Sequence, residues 1–195
     1  MKKLLVVVSS LILAIMLLTL AVSAATTYTV VKGDSMWKIA TRYEVGLSEI
    51  KSANPQIKNP DLIYPGQVIN IPTTDSSVLN YEKEVVRLVN EIRVKNGLGE
   101  LTYDWQLSRV ARIKSQDMKD KGYFSHTSPT YGSPFQMMKS FGITYRSAGE
   151  NIAKGYRSPQ AVVDGWMNSP GHRANILNAS FTHIGVGYVK NGNYW

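Results

Sequence analysis

Three residues in the C-terminal part of the chain have side chains that could form a ligand cleft or a metal site. His126 lies in the sequence FSHTSP, Glu150 in AGENIA, and His172 in NSPGHRANIL. Zinc accepts imidazole and carboxylate ligands, and two histidines with one glutamate leave a fourth tetrahedral position open. The three side chains come from separated segments, so this chemistry requires a fold that brings them together.

Each of these residues also has an interpretation without a ligand. His126 could be a solvated loop residue, Glu150 could accept hydrogen bonds from loop amides, and His172 could cap the short helix that follows it. The remaining histidine, His183, precedes the sequence IGVG, and we expect it on the surface. Serine catalysis is not favoured because no GxSxG motif is present, and the lack of cysteine excludes thiol nucleophiles and thiolate metal sites.

The N-terminal residues are typical of an export signal. Two lysines precede an apolar run from Leu4 to Leu20, and small residues follow it up to Ala24. This pattern predicts a signal peptide over residues 1–24, with Ala25 as an adjacent cleavage position. An uncleaved anchor is the alternative, although the run is at the lower limit of the about 17–25 residues that a spanning helix needs. After cleavage we expect a secreted chain with no stable membrane insertion.

Basic residues are concentrated in the C-terminal part of the exported chain. Residues 25–72 carry five basic and four acidic side chains, whereas residues 81–195 carry fifteen and nine. Such an excess favours attraction to anionic wall polymers or lipid surfaces, the alternative being an ordinary solvated surface. Nucleic acid is not expected as a partner because no recognition motif accompanies the basic residues. Without disulfides, the exported domains must be stabilised by core packing.

Residues 25–72 predict a small βααβ module. The predicted elements are a strand at 28–31, helices at 36–43 and 47–53, and a final strand within 62–72. Ser35 is a suitable N-cap for the first helix, and Asn54-Pro55 ends the second. In the first helix, the spacing predicts that Trp37, Ala40 and Ile39 face the core.

This module resembles a LysM domain over residues 28–72. The matching positions are Tyr28, Val30, 33–37, Ile39, Ala40, Asn54, Pro55, 64–67, Ile69, Ile71 and Pro72. The resemblance implies a groove for N-acetylglucosamine chains, in peptidoglycan or chitin, between the loops after the first strand and before the last. The implied glycan-binding residues are Gly33, Asp34, Ser35, Met36, Asn54, Pro55, Gln56, Ile57, Leu62 and Ile63. One such module is expected to bind weakly, because tight retention relies on several.

After a polar linker, predicted at residues 73–79, the pattern becomes helical. Val85, Leu88, Val89 and Ile92 recur at helical spacing, and Asp104, Ser133 and Ser158 are predicted to begin three further helices. A strand is predicted at 183–189, followed by a hairpin turn at Asn191-Gly192. These elements predict an α+β domain over residues 80–195, with helices around a small antiparallel sheet. Because Trp195 follows the turn so closely, we expect a truncated last strand and an open flank along 183–189.

Residues 80–195 resemble a bacterial member of the CAP superfamily, the cysteine-rich secretory, antigen 5 and pathogenesis-related proteins. The motifs that carry the resemblance are YFSH at 123–126, GENI at 149–152, Trp166 with Gly171-His172, and IGVG at 184–187. The resemblance implies an α-β-α sandwich with a cleft of two histidines and, in many members, two acidic residues. Some members bind zinc or another divalent ion there. It assigns His126, Glu150 and His172 to the cleft, with Glu150 as the candidate catalytic residue, whereas Ser169 replaces the second acid.

Two functions fit these features. The first is a secreted protein of the cell wall or spore envelope, anchored to peptidoglycan by the LysM module and presenting the His/Glu cleft to a ligand. The second is a metal-dependent hydrolase acting on wall or spore material through zinc-bound water. The missing second carboxylate and the absence of an HExxH pair favour the first function.

Overall fold

The computed structural model describes residues 26–195, which form two units of mixed helix and strand. The predicted signal peptide lies outside the described residues. Within the described range, no helix is both long enough and apolar enough to cross a membrane.

The N-terminal unit has the predicted strand, helix, helix, strand order. Its elements are β1 (Thr26–Thr29), α1 (Met36–Arg42), α2 (Leu47–Ser52) and β2 (Val68–Ile71). The strands pair antiparallel, with Thr26 opposite Ile71. Ser35 caps α1 as predicted, because its hydroxyl accepts a hydrogen bond from the Lys38 N–H. Both helices pack apolar side chains against the strand pair, which gives the module its own core.

The prediction that Trp37 packs in this core was wrong. The indole is 60% exposed, whereas Met36, Ile39 and Ala40 are buried. These three follow i, i+3, i+4 spacing and fill the face of α1 that meets the core, so Trp37 lies on the flank of the helix. A large aromatic side chain is therefore available at the surface of the module.

The C-terminal unit contains five helices and two short strands among the described residues. They are α3 (Ser76–Lys95), β3 (Thr102–Tyr103), α4 (Trp105–Asp120), α5 (Pro134–Ser140), α6 (Pro159–Met167), α7 (Pro170–Ile176) and β4 (His183–Ile184). Asp104, Ser133 and Ser158 cap α4, α5 and α6 as predicted. The linker is shorter than the predicted residues 73–79, because α3 begins at Ser76. The Asp75 carboxylate caps this helix by accepting a hydrogen bond from the Ser77 N–H.

The predicted antiparallel sheet with a strand at 183–189 was also wrong. Only His183–Ile184 forms a strand, and it pairs parallel with Thr102–Tyr103. Beyond Ile184 the chain leaves β3 and follows helix α4. There the Val186 N–H donates to Ser108 Oγ at 3.0 Å, and Ser115 Oγ donates to the Gly187 carbonyl at 3.2 Å. Side chains of a helix thus replace the neighbouring strand that the alternating sequence predicts.

The predicted hairpin turn forms, but the expected open flank is not found at Val189. Val189 and Tyr194 exchange two backbone hydrogen bonds across the turn. Ala153 and Trp195 form a second reciprocal pair, and the Trp195 ring stacks on Tyr188 with centroids 4.1 Å apart. The last residues are therefore packed against the loop that follows the GENI motif.

Candidate functional site

Two of the three predicted cleft residues are in direct contact. His126 Nδ1 lies 2.7 Å from Glu150 Oε1, and the imidazole remains 53% exposed. This contact uses one ring nitrogen and leaves Nε2 of His126 available to a ligand. A carboxylate on Nδ1 fixes the ring orientation and favours the tautomer with a proton on Nδ1.

His172 lies in the first turn of α7, beside the Glu150 loop. Partial burial lowers the pKa of His172, and nearby His126 lowers it further. Asn151 Nδ2 donates to the His172 carbonyl at 3.1 Å, and Asn175 Nδ2 donates to Asn151 Oδ1 at 2.8 Å. These amide contacts hold the GENI segment and α7 together. His183 lies in β4 as an exposed residue whose ring contacts Thr182, as expected for a surface histidine.

Asp117, which sequence reasoning missed, organises the loop that carries His126. Its carboxylate accepts hydrogen bonds from Tyr123 at 2.5 Å, Ser128 at 2.7 Å and Thr130 at 2.5 Å. Burial acts to raise the pKa of Asp117, but these hydrogen bonds outweigh it and lower the pKa to about 2. The three partners lie six to thirteen positions after Asp117 without a periodic pattern, so no local motif predicts these hydrogen bonds.

Lys114 supports the same loop from inside the domain, and it was also missed. Its Nζ donates to the His126 carbonyl at 2.7 Å and lies 5.4 Å from the centre of the Tyr123 ring. Burial lowers the pKa of Lys114, while Glu150 and Asp117 favour its charged form. Lys114 and Glu150 also line a largely apolar cavity of about 190 Å³. A sequence signal existed, because Lys114 lies on the α4 face that buries Val110 and Met118.

The trio does not fit a zinc site with three protein ligands. In residues 26–195, no group of three or more His, Cys, Asp or Glu side chains is arranged to hold a metal ion. Glu150 instead contacts His126. In metal sites, a carboxylate in this position orients the histidine and lies outside the metal's coordination shell. His126 and His172 remain as two candidate imidazole donors.

The residues of the implied glycan groove differ in the exposure of their side chains. Asp34 accepts hydrogen bonds from Tyr28 and the Val31 N–H, and Met36 belongs to the core. Asn54 is buried, and its amide bonds to Ile50 and Asn70, so its side chain positions the second loop rather than facing a ligand. Ser35, Pro55, Gln56 and Leu62 are exposed, whereas Ile57 and Ile63 are half-buried and pack against the core of the module.

We expect Asp117→Asn to lower the free energy of unfolding by about 2 kcal/mol at neutral pH, because an amide cannot accept all three hydroxyl hydrogen bonds. The pKa of Asp117 is depressed when folded, so its contribution is present above pH of about 4 and is lost as pH falls towards 2. Urea unfolding from pH 7 to pH 2 should show a smaller acid-induced loss in the variant. Asp120→Asn, on the same helix but exposed, is the control. Equal acid profiles for Asp117→Asn and the wild type would contradict this role.

Comparison with known proteins identifies both units. Residues 28–72 match the LysM domain model, and residues 86–195 match the model of the cysteine-rich secretory protein family, CAP. The uncharacterized protein YkwD of Bacillus subtilis is 67% identical over 120 residues, which cover 62% of this chain and 47% of that protein. SpoIVD-associated factor A of the same species is 55% identical over 42 residues, covering 22% of this chain and 11% of that protein.

A solved structure supports the fold of the C-terminal unit. The extracellular SCP-domain protein from Bacillus anthracis has a TM-score of 0.58 and 36% identity, covering 67% of this chain and 45% of that one. The chain spans about half the length of the curated relatives YkwD and YlbC that it matches. Because the family model covers more than half of its residues, the chain belongs to the CAP family, and a LysM domain precedes its CAP domain.

Proposed function

We propose that this chain is a secreted, wall-associated protein that binds peptidoglycan through its LysM domain and presents the CAP cleft to a ligand. The observation that carries the proposal is the arrangement of the two LysM loops that the resemblance assigns to the glycan. Buried Asn54 fixes the second of these loops, Gln56 and Leu62 are exposed, and Ile63 is half-buried. Acetamido sugars need this combination of polar groups and apolar contacts.

The basic CAP domain supports a location close to the wall. Its excess of lysine and arginine would attract anionic wall polymers and keep the domain near the surface to which the LysM domain binds. The similarity of the LysM segment to a SpoIVD-associated factor favours the spore envelope as one such location. In the cleft, the exposed imidazole of His126 and the half-buried Glu150 carboxylate would offer polar contacts to a wall-derived ligand.

Retention on insoluble peptidoglycan tests the anchoring role. We expect Leu62→Asp in the exported chain to weaken retention about tenfold, the equivalent of about 1.4 kcal/mol, because it places a charge where an apolar sugar contact is proposed. Val68→Asp is the control, since Val68 is similarly exposed but lies on β2 outside both loops. Deleting residues 28–72 should abolish retention, and binding that survives this deletion would overturn the proposal.

A metal-dependent hydrolase is the second candidate: His126 and His172 would hold the metal, and Glu150, 2.7 Å from His126, would orient that imidazole. A carboxylate-oriented imidazole can move a proton, although Ser169 supplies no second carboxylate. The retention assay can decide this in the same samples by measuring soluble fragments released from the walls. Release that is lost in Glu150→Gln, with metal content lost in His126→Ala, would establish the hydrolase. Retention without release would exclude it for this wall material.

A further inference from the structure

An ion pair with two hydrogen bonds joins the LysM and CAP domains. Arg109 Nε lies 2.6 Å from Glu49 Oε1, and Arg109 Nη2 lies 2.7 Å from Glu49 Oε2. The same guanidinium donates to Ser48 Oγ at 3.1 Å and lies 5.1 Å from the centre of the Phe141 ring. Because a bidentate arginine–carboxylate pair is directional, it fixes the orientation of α2 against α4 rather than only holding the domains near each other.

Gly46 allows this close approach. A Cβ at this position would lie 2.2 Å from Arg109 Nε and 2.0 Å from Glu49 Oε2, so any side chain there would displace the ion pair. Its φ of −72° is accessible to every residue type, so local backbone conformation does not require glycine. Glycine is needed at this position because the Arg109–Glu49 pair between the two domains occupies the space of a Cβ.

A cleft of about 160 Å³ lies between the domains beside Arg109. Trp37, Thr41 and Leu47 line it from the LysM side. Trp105, Gln106 and Phe141 line it from the CAP side. The cleft therefore combines three aromatic rings with a hydroxyl and a carboxamide, and neither domain forms it alone.

The lining matches the chemistry of a pyranose ring. Aromatic rings contact the apolar faces of such a ring, and the Thr41 hydroxyl and Gln106 amide can both donate and accept hydrogen bonds to its polar edge. Trp37 is the cleft residue nearest in sequence to the implied glycan groove, because it directly follows the loop Gly33–Met36, and it is largely exposed. We expect a glycan chain that leaves the groove at this loop to extend towards Trp37.

We propose that this interdomain cleft is a subsite for an additional sugar ring of the glycan held in the LysM groove. The proposal rests on the proposed glycan binding of the LysM domain and assigns Trp105 of the CAP domain to the same ligand. The CAP domain thereby contributes to glycan recognition directly, and the pair Arg109–Glu49 acts as a positioning contact that keeps Trp105 opposite Trp37.

Titration with N-acetylglucosamine oligomers of two lengths tests this subsite in the exported chain. The short oligomer fills only the groove, and the long one extends beyond it. We expect Trp105→Ala to weaken binding of the long oligomer about tenfold and to leave binding of the short oligomer unchanged. Gly46→Ala should cause the same length-dependent loss by displacing Arg109, without removing any aromatic ring. Phe135→Ala, an exposed aromatic residue of the CAP domain outside the cleft, should bind both oligomers like the wild type.

The outcomes separate the subsite from the groove. If Trp105→Ala and Gly46→Ala bind both oligomers like the wild type, the subsite is refuted and the proposed function stands. Equal weakening of both oligomers also refutes it, because a subsite must discriminate by length. If the wild type binds neither oligomer, the proposed glycan binding fails together with the subsite. Thermal unfolding of each variant verifies that it is folded.

Discussion

Gly187→Ala should destabilise the CAP domain by at least about 3 kcal/mol, because it would force a side chain into the backbone of α4. A Cβ at Gly187 would lie 2.1 Å from the Arg112 nitrogen and 2.2 Å from the Ala111 carbonyl carbon. Both are main-chain atoms within a helix, so they cannot move aside as the end of a flexible side chain can. The clash can be relieved only by separating residues 185–188 from α4.

That separation would break a set of buried hydrogen bonds. Val186 and Gly187 bond to Ser108 and Ser115 of α4, and the Tyr188 N–H donates to the buried Glu82 carboxylate at 3.0 Å. Burial raises the pKa of Glu82 to about 7, against the opposing effect of Arg112 and this N–H. Loss of the Tyr188 contact would leave a buried carboxylate with fewer donors, which adds to the cost.

Chemical denaturation measures the loss, and glycines without close neighbours provide controls. A Cβ added at Gly99 or Gly171 would meet no heavy atom within 4 Å beyond the adjoining chain, and neither glycine has a positive φ. We expect Gly99→Ala and Gly171→Ala to leave the free energy of unfolding within about 1 kcal/mol of the wild type. If Gly187→Ala unfolds at the same denaturant concentration as these controls, the close packing against α4 is not a determinant of stability.

The start of α4 could be predicted from the sequence, whereas the conformation of residues 183–189 could not. Asp104 begins α4 through a local hydrogen bond to the Leu107 N–H, so a window of a few residues contains the information. The IGVG segment has the alternation of a strand, but beyond Ile184 its partner is α4, a helix from another part of the chain. The glycines at 185 and 187 do indicate a close backbone approach, although they do not identify what approaches.

In the candidate site, too, sequence motifs predict some residues, whereas residues that act through tertiary contacts cannot be predicted. His126 and Glu150 were assigned together through the family motifs, and the structure places them in contact. Lys114 and Asp117 were missed because they act through tertiary contacts with the His126 loop. Trp37 was wrongly predicted to face the core. Helical spacing groups residues into faces but does not say which face is buried, and in α1 the buried face contains Met36 rather than Trp37.

The second large effect is expected for Arg93→Met, which should lower the free energy of unfolding by about 3–5 kcal/mol. Arg93 is 2% exposed, and its guanidinium donates to four backbone carbonyl groups. These acceptors are Gly99 at 2.9 Å, Ile176 at 2.8 Å, Asn178 at 2.9 Å and Phe181 at 3.4 Å. Burial lowers the pKa of Arg93, and the carbonyl dipoles compensate the buried charge.

Methionine matches the apolar stem of Arg93 but supplies no donor, so the buried carbonyl of Ile176 at the end of α7 would lose this partner. The same contacts tie α3 to the segment between α7 and β4, and α7 carries His172. Arg93→Met should therefore also loosen α7, detectable as faster amide exchange in residues 170–176. Arg87→Met is the control, because Arg87 is exposed on the same helix and pairs only with Glu84 and Glu91 among the described residues. Its cost should stay below about 1 kcal/mol, and equal losses for the two variants would show that the carbonyl contacts of Arg93 do not stabilise the fold.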